Sequence, residues 1–330
     1  MSAVLERIRD AARAHVQRLV LPEAEDDRIL EAAGRLDRDR LATVTLVGDP
    51  AAIERRAGEH GWEVRGVRLA DAREERLIER TRAALAEQRG PRLETEERER
   101  LARDPLFQAA SLVRAGEADA FVAGATHTTA EVLRAALWLV GMAPGVSAVS
   151  SFFLMVREQP ARTLVFADCG VIPEPTSAQL AEIACLASDA FRRLTGEPPR
   201  TALLSFSTLG SADHARVVRV REAVALARAA RPDLDLDGEL QADAALVPEV
   251  ARRKAPGSGV AGDANVIVFP DLDAGNIGYK LVERLGGFRA YGPILMGLAR
   301  PSNDLSRGCS ADDVVGVATI ACALGAAGRN

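Results

Sequence analysis

Lysine is almost missing from this chain. Of 42 basic residues only Lys254 and Lys280 are lysines; the others are arginines. Cysteine is sparse too. Cys169, Cys185, Cys309 and Cys322 are scattered, with no C-x-x-C pair, which excludes a disulfide framework and a zinc site and points to a reducing cytoplasm. No run is apolar for long enough to cross a bilayer. The most apolar stretch, residues 314–327, falls short of the roughly 20 residues required and is rich in Ala and Gly, as suits a closely packed buried helix. Glu6, Arg7, Arg9 and Asp10 stand where a signal peptide needs an apolar run. Positive charge is not in excess either. A net charge of −5 gives no reason to expect nucleic acid or an anionic membrane as partner. There is no His/Cys cluster for a metal and no G-x-S-x-G elbow.

What remains is a globular composition, 48% hydrophobic and 27% charged over 330 residues, enough for two domains or one large one. Residues 18–21 form a short buried strand, and the acidic run Glu23 to Asp27 then begins a helix whose dipole favours it. Residues 43–48 are a second strand, turning into a helix at Asp49-Pro50. Strand alternating with helix predicts a parallel sheet covered on both faces. Residues 73–103 are charged and helical, with a break at Gly90-Pro91, and Asp104-Pro105 restarts a helix. Residues 118–124 are a strand that empties into Ala125-Thr126-His127-Thr128-Thr129, the geometry of a ligand loop, because open parallel sheets bind ligands at the carboxyl ends of strands. With no paired Asp or nucleophile nearby, His127 is better read as a hydrogen-bonding neighbour than as a general base.

Met142 to Gly145 breaks the pattern and marks a boundary. The apolar segments 146–156 and 163–167 then predict an antiparallel hairpin that starts a second sheet, followed by a long helix from Ser177. Residues 203–207 and 236–241 read as strands; the first opens into a hydroxyl-rich loop. Gly257 to Gly262 matches G-x-G-x-x-G letter for letter, but no strand precedes it and a strand (265–269) follows it, so a dinucleotide site is rejected. After that strand, the glycines, Asn276 and Lys280 of residues 270–280 are candidates to cradle a phosphate through backbone N–H groups.

The most informative stretch is Ser306-Arg307-Gly308-Cys309-Ser310-Ala311-Asp312-Asp313. Ser310 and Asp313 read as N-cap and N3 of a capping box before an apolar helix. The loop that enters it faces the positive end of the helix dipole, and Arg307 adds a planar fork for an oxyanion. The same residues fit either a plain cap with a solvated arginine or an anion site with an acid/base group beside it.

Several segments together carry a family resemblance: Leu21-Pro22-Glu23-Ala24-Glu25-Asp26-Asp27, Phe166-Ala167-Asp168-Cys169, Ser205-Phe206-Ser207-Thr208, Lys254-Ala255-Pro256-Gly257-Ser258, Asn276-Ile277-Gly278-Tyr279-Lys280 and Asn303-Asp304-Leu305-Ser306-Arg307-Gly308-Cys309. In this order they resemble the phosphate acetyl/butyryltransferase family. The resemblance implies two α/β domains with a cleft between them, like those of the isocitrate and isopropylmalate dehydrogenases. Domain I would comprise 1–143 plus 298–330, and domain II, which would build a homodimer, 144–297. It implies reversible acetyl transfer between CoA and phosphate, with acetyl-CoA, phosphate and acetyl phosphate as substrates and no cofactor or metal. The family's catalytic serine, arginine and aspartate fall on Ser306, Arg307 and Asp313. Its substrate-binding arginines fall on Arg134 and Arg89, with Arg92 close by, and its loop hydroxyl falls on Thr128. Asn276 and Lys280 join the substrate-binding set. A butyryl-transferring enzyme and a non-catalytic acyl-CoA-sensing module are the alternatives.

Overall fold

The computed structural model describes residues 2–327. The chain divides into two compact units. One is Arg7–Pro144 together with residues 298–327; the other is residues 2–6 with Gly145–Gly297.

The elements run α1 (Ala3–Ala14), β1 (Gln17–Leu21), α2 (Asp27–Arg38), β2 (Ala42–Gly48), α3 (Pro50–His60), β3 (Arg68–Asp71), α4 (Glu75–Arg89), α5 (Thr95–Ala102), α6 (Pro105–Arg114), β4 (Ala120–Ala123) and α7 (Thr129–Ala135), which continues into a π-helical turn at Ala136–Val140. Next come β5 (Ser150–Arg157), β6 (Arg162–Ala167), α8 (Ser177–Thr195), β7 (Arg200–Leu204), α9 (Ala215–Ala230), β8 (Asp235–Leu240), α10 (Ala242–Leu246), α11 (Pro248–Lys254), β9 (Val266–Val268), α12 (Leu272–Gly286) and β10 (Arg289–Met296). The chain closes with β11 (Ser302–Asp304) and α13 (Ala311–Ala327).

In the first unit the sheet order is β11-β4-β1-β2-β3, and every pair is parallel. Parallel strands need both faces covered. Val20, Val47 and Phe121 point to one side, into a core with Leu85 of α4 and Leu106 and Phe107 of α6. The alternate residues Leu19, Leu21 and Leu46 point the other way and are fully buried, and α2 and α13 pack together on that face. The helices begin where short-range chemistry dictates. The carboxylates of Asp49 and Asp104 accept from the N–H groups of Ala51 and Leu106, and a proline follows each as the first helical residue.

The second sheet is mixed, with order β10-β5-β6-β9-β7-β8. β5 and β6 form the anticipated antiparallel hairpin, and β6, β9, β7 and β8 run parallel. β10 lies antiparallel on the edge beside β5, with a register shift between Tyr291 and Ile294. Gly292-Pro293 fills that irregularity, which is why this edge strand reads as a turn in the sequence.

Two segments differ from what their sequence predicts. Glu23 does not start a helix. Asp26 is the N-cap of α2, its carboxylate accepting from the Arg28 N–H, and Glu23 lies before it, buried. Residues 272–280 are not a loop that offers N–H groups to a phosphate. They are the first turns of α12; the Leu272 N–H donates to the Pro173 carbonyl, and those of Ala274 and Gly275 are taken by the capping residue Asp271. The glycines there permit close packing: a Cβ on Gly275 would fall 2.2 Å from the Asp168 carbonyl oxygen, and one on Gly278 2.9 Å from the Phe269 ring. Among the described residues no helix is long and apolar enough to cross a membrane.

Candidate active site

Three neighbouring parallel strands, β11, β4 and β1, deliver their carboxyl ends side by side. The segment after β11 holds Ser306, Arg307 and Gly308, all exposed. It is a tight turn: the Cys309 N–H donates to the Ser306 carbonyl at 2.9 Å, and the Gly308 N–H to Ser306 Oγ at 3.3 Å. Among the described residues the Arg307 guanidinium has no protein partner. Ser310 and Asp313 form the capping box of α13. Asp313 Oδ2 accepts from the Ser310 N–H (2.9 Å) and Oγ (2.8 Å), while the Asp313 N–H donates to Ser310 Oγ at 3.2 Å. A hydroxyl, an unengaged guanidinium and a capped carboxylate therefore stand together at the start of an apolar 17-residue helix. That arrangement suits a reacting oxyanion.

Arg28 ties this turn to its neighbours. One guanidinium nitrogen donates to the carbonyls of Arg307 (2.7 Å) and Cys309 (3.0 Å), and the other to Ala125 after β4 (2.9 Å). Asp26 pairs with the same group and raises its pKa above the ordinary arginine value. Asp304, the last residue of β11, accepts from Thr129 Oγ1 at 2.6 Å. Burial lifts its carboxyl to about 6, offset in part by that hydroxyl and the Leu305 N–H. Neither Arg28 nor Asp304 stands out in the sequence, because, Asp26 and Leu305 apart, the partners named here lie 97 to 281 positions away on residues that only the sheet order gathers.

The turn after β4 is not the open ligand loop its sequence suggests. Its N–H groups are occupied by the buried Glu23 carboxylate. Burial alone would raise that carboxyl, but hydrogen bonds from His127 and from the backbone N–H groups outweigh it and hold it at about 2. His127 accordingly has acid partners that the sequence hides: Nδ1 lies 2.8 Å from Glu23, and Nε2 lies 3.8 Å from Asp104. Glu23 raises the imidazole pKa against the effect of burial. Thr128 is the N-cap of α7, its hydroxyl bonded reciprocally with Glu131. Arg134 lies on that helix. Its guanidinium stands 5.7 Å from the centre of the Trp138 ring, and Arg89 lies 4.4 Å from the same ring. The indole thus brings two arginines together that are far apart in the chain. Arg89 Nε is buried with no hydrogen-bond partner among the described residues, and Arg92 is exposed. Asn276 and Lys280 belong to the other unit. The Asn276 amide donates to the Cys169 carbonyl at 3.1 Å, and Lys280 is exposed beside Tyr279. Among the described residues no group of three or more His, Cys, Asp or Glu is placed to hold a metal.

The architecture has the α/β dehydrogenase-like character expected of the fold. A 4-hydroxythreonine-4-phosphate dehydrogenase from Klebsiella pneumoniae superposes with a TM-score of 0.53 at 13% identity, covering 94% of this chain and 99% of that one, a likeness of fold alone. A phosphotransacetylase from Streptococcus pyogenes is far nearer, with a TM-score of 0.94 and 40% identity over 98% of this chain and 99% of that one. The phosphate acetyltransferase of Paracoccus denitrificans is 49% identical over 325 residues, 96% of this chain and 97% of that protein. The family model for phosphate acetyl/butaryl transferases matches residues 3–322, and the chain belongs to that family.

Proposed function

We propose that this chain is a phosphate acetyltransferase, moving an acetyl group reversibly between the thiol of CoA and inorganic phosphate. The observation that carries the reading is the exposed Arg307, whose guanidinium has no partner among the described residues, beside the capped Asp313, within a chain similar along nearly its whole length to enzymes of that name.

In the direction of CoA acylation, both substrates bind and the CoA sulfur attacks the carbonyl carbon of acetyl phosphate. A C–S bond forms, the C–O bond to phosphorus breaks, and phosphate leaves. Arg307 holds the phosphate and the developing charge, and Ser306 donates to the oxyanion. Asp313 takes the thiol proton. On ordinary pKa values that transfer is uphill by roughly 6 kcal/mol. Arg307 and the amino end of α13 reduce the gap by favouring the thiolate over the thiol. Arg89 and Arg134, gathered on Trp138, bind an anionic part of a substrate. Positioning of two substrates supplies much of the rate. CoA is a substrate, and no cofactor or metal takes part, so excess chelator leaves the rate unchanged; loss of activity restored by a divalent metal contradicts this.

The protein acts in the cytoplasm as a homodimer. Support for the dimer comes from α12, where Ile277, Leu281 and Leu285 recur every fourth residue and are 57%, 53% and 82% exposed. A second copy covers this stripe.

The deciding experiment is CoA-dependent release of phosphate from acetyl, propionyl and butyryl phosphates. Acetyl phosphate is the fastest donor. A preference for butyryl phosphate makes the chain a butyryltransferase, and acyl-CoA binding without turnover makes it a sensor.

A further inference from the structure

Glu23 lies two residues past β1, and its side chain is 1% exposed. Oε2 accepts from the N–H groups of Gly124 (3.0 Å) and Ala125 (2.8 Å). Oε1 accepts from the N–H groups of Thr126 (2.8 Å) and His127 (2.9 Å) and from Thr126 Oγ1 (2.9 Å), and it lies 2.8 Å from His127 Nδ1. Successive backbone N–H groups that converge on one anion form a nest, which elsewhere receives a phosphate or carboxylate ligand. In this chain the anion is its own side chain.

We propose that Glu23 is a positioning residue for the transfer site, acting as a built-in anion that fills the nest of the β4–α7 turn and fixes where Arg28, and through it the Arg307 turn, is held. The proposal rests on the acetyl-transfer reading and deepens it. Four observations carry it. The Ala125 carbonyl, displayed by this turn, is one of three carbonyls that Arg28 grips; the other two belong to Arg307 and Cys309. A shift of the turn therefore moves the guanidinium that holds the backbone of the proposed catalytic arginine. Gly124, at φ +113°, presses against the start of the same segment: a Cβ there would lie 2.4 Å from Asp304 Oδ1 and 2.6 Å from the Leu305 nitrogen. The turn also feeds directly into α7, which carries Arg134. Finally, His127 is oriented from both sides, by Glu23 at Nδ1 and Asp104 near Nε2, so the clamp extends to α6.

One consequence concerns where substrate does not bind. With four N–H groups spent on Glu23, this turn has none of them left for a substrate phosphate. The anion must be met by side chains such as Arg307.

The test uses the full chain with Glu23→Ala and Glu23→Gln, read by kcat, KM for CoA and acetyl phosphate, and melting temperature, each with rising sodium formate and a sodium chloride control of equal ionic strength. Formate is the probe because it is a free carboxylate small enough for the vacated nest. Folded Glu23→Ala should lose roughly a hundredfold in kcat, the scale expected of a small misplacement of reacting groups, with smaller changes in either KM. Formate, and not chloride, should restore part of kcat and raise the melting temperature. Glu23→Gln, which keeps the shape but turns an NH2 toward N–H donors, should also lose kcat and should not respond to formate. Wild-type kcat in either folded variant, or a folded Glu23→Ala indifferent to formate in both rate and melting, overturns the proposal. If Glu23→Ala does not fold, the kcat of Glu23→Gln decides. If the wild-type chain transfers no acetyl group, the reaction assignment fails instead, and the formate-dependent melting of Glu23→Ala still accepts or rejects the nest.

Discussion

The Arg28 guanidinium donates to the Arg307 carbonyl at 2.7 Å, so one arginine holds the backbone of another across 279 positions of sequence. Arg28→Ala removes that grip along with those on Cys309 and Ala125. We expect kcat for acetyl transfer to fall roughly 10- to 100-fold, because misplacing a reacting group slightly costs about that much. Stability should fall by about 1–3 kcal/mol, the usual cost of leaving carbonyl partners unmet. Steady-state kinetics beside a thermal melt checks both. Unchanged turnover removes Arg28 from the site.

Asp313 is both a cap and the proposed base, and one substitution separates the two roles. Asp313→Asn keeps a side-chain oxygen for the Ser310 N–H and loses only the charge and the basicity. Losing a cap interaction costs about 1 kcal/mol, whereas losing a general base typically costs 10²–10⁴-fold in rate. The variant should melt within a few degrees of wild type, still bind CoA, and turn over at least roughly a hundredfold more slowly. Full turnover would make Asp313 a cap only and pass the thiol proton to phosphate or solvent.

The capping box was legible in the sequence because its two residues are three apart and its chemistry is local. The first parallel sheet was legible for a similar reason: buried strands alternate with capped helices. What joins the loops was not. Glu23 meets residues 124–127 and Arg28 meets 307 and 309, contacts made only once the strand order is known. Glu23 even looked like a first-turn helix acid, since an acidic run before a helix usually is one. The glycines of α12 imitated a phosphate loop for a different reason, as close helix–strand packing and close ligand approach call for the same residue. β3, β10 and β11 escaped notice because two of them have three or four residues and the third is interrupted by Gly292-Pro293.

Asp304 and Glu23 bend the acid stability profile in opposite directions. Glu23 is held at about 2 against an ordinary 4.5, so its contribution is present above about pH 4.5 and is lost as pH falls toward 2. Asp304 is raised to about 6 from 3.8, so its neutral form favours the fold below that range and the benefit is lost as pH rises through 6. Besides Glu23, the groups that face it are the Thr129 hydroxyl and the Leu305 N–H. Asp304→Asn should therefore gain stability relative to wild type as pH rises from about 4 to 7, by up to about 3 kcal/mol. Melts of both proteins at a series of pH values measure the difference, and a difference that does not vary with pH contradicts the assignment.

Trp138 should matter through the arginines it gathers. Trp138→Leu keeps an apolar side chain and removes both cation–π contacts, each worth about 0.5–2 kcal/mol. We expect KM for CoA or for acetyl phosphate to rise severalfold, with kcat changed less. Substrate titrations with Arg89→Ala and Arg134→Ala alongside should show the same substrate affected in all three. An unaltered KM in Trp138→Leu would detach the indole from substrate binding.

On the proposed mechanism Arg307, in the turn between β11 and α13, carries acetyl transfer. The most direct measurement is CoA-dependent phosphate release from acetyl phosphate by wild type and Arg307→Ala, each checked for folding by its melting temperature. An exposed side chain with no partner among the described residues contributes little to stability, so the two should melt alike. The wild type should turn over, and the variant should be slower by about 10³-fold, the upper end of what removing one oxyanion donor costs. A folded Arg307→Ala that releases phosphate at close to the wild-type rate would contradict the account.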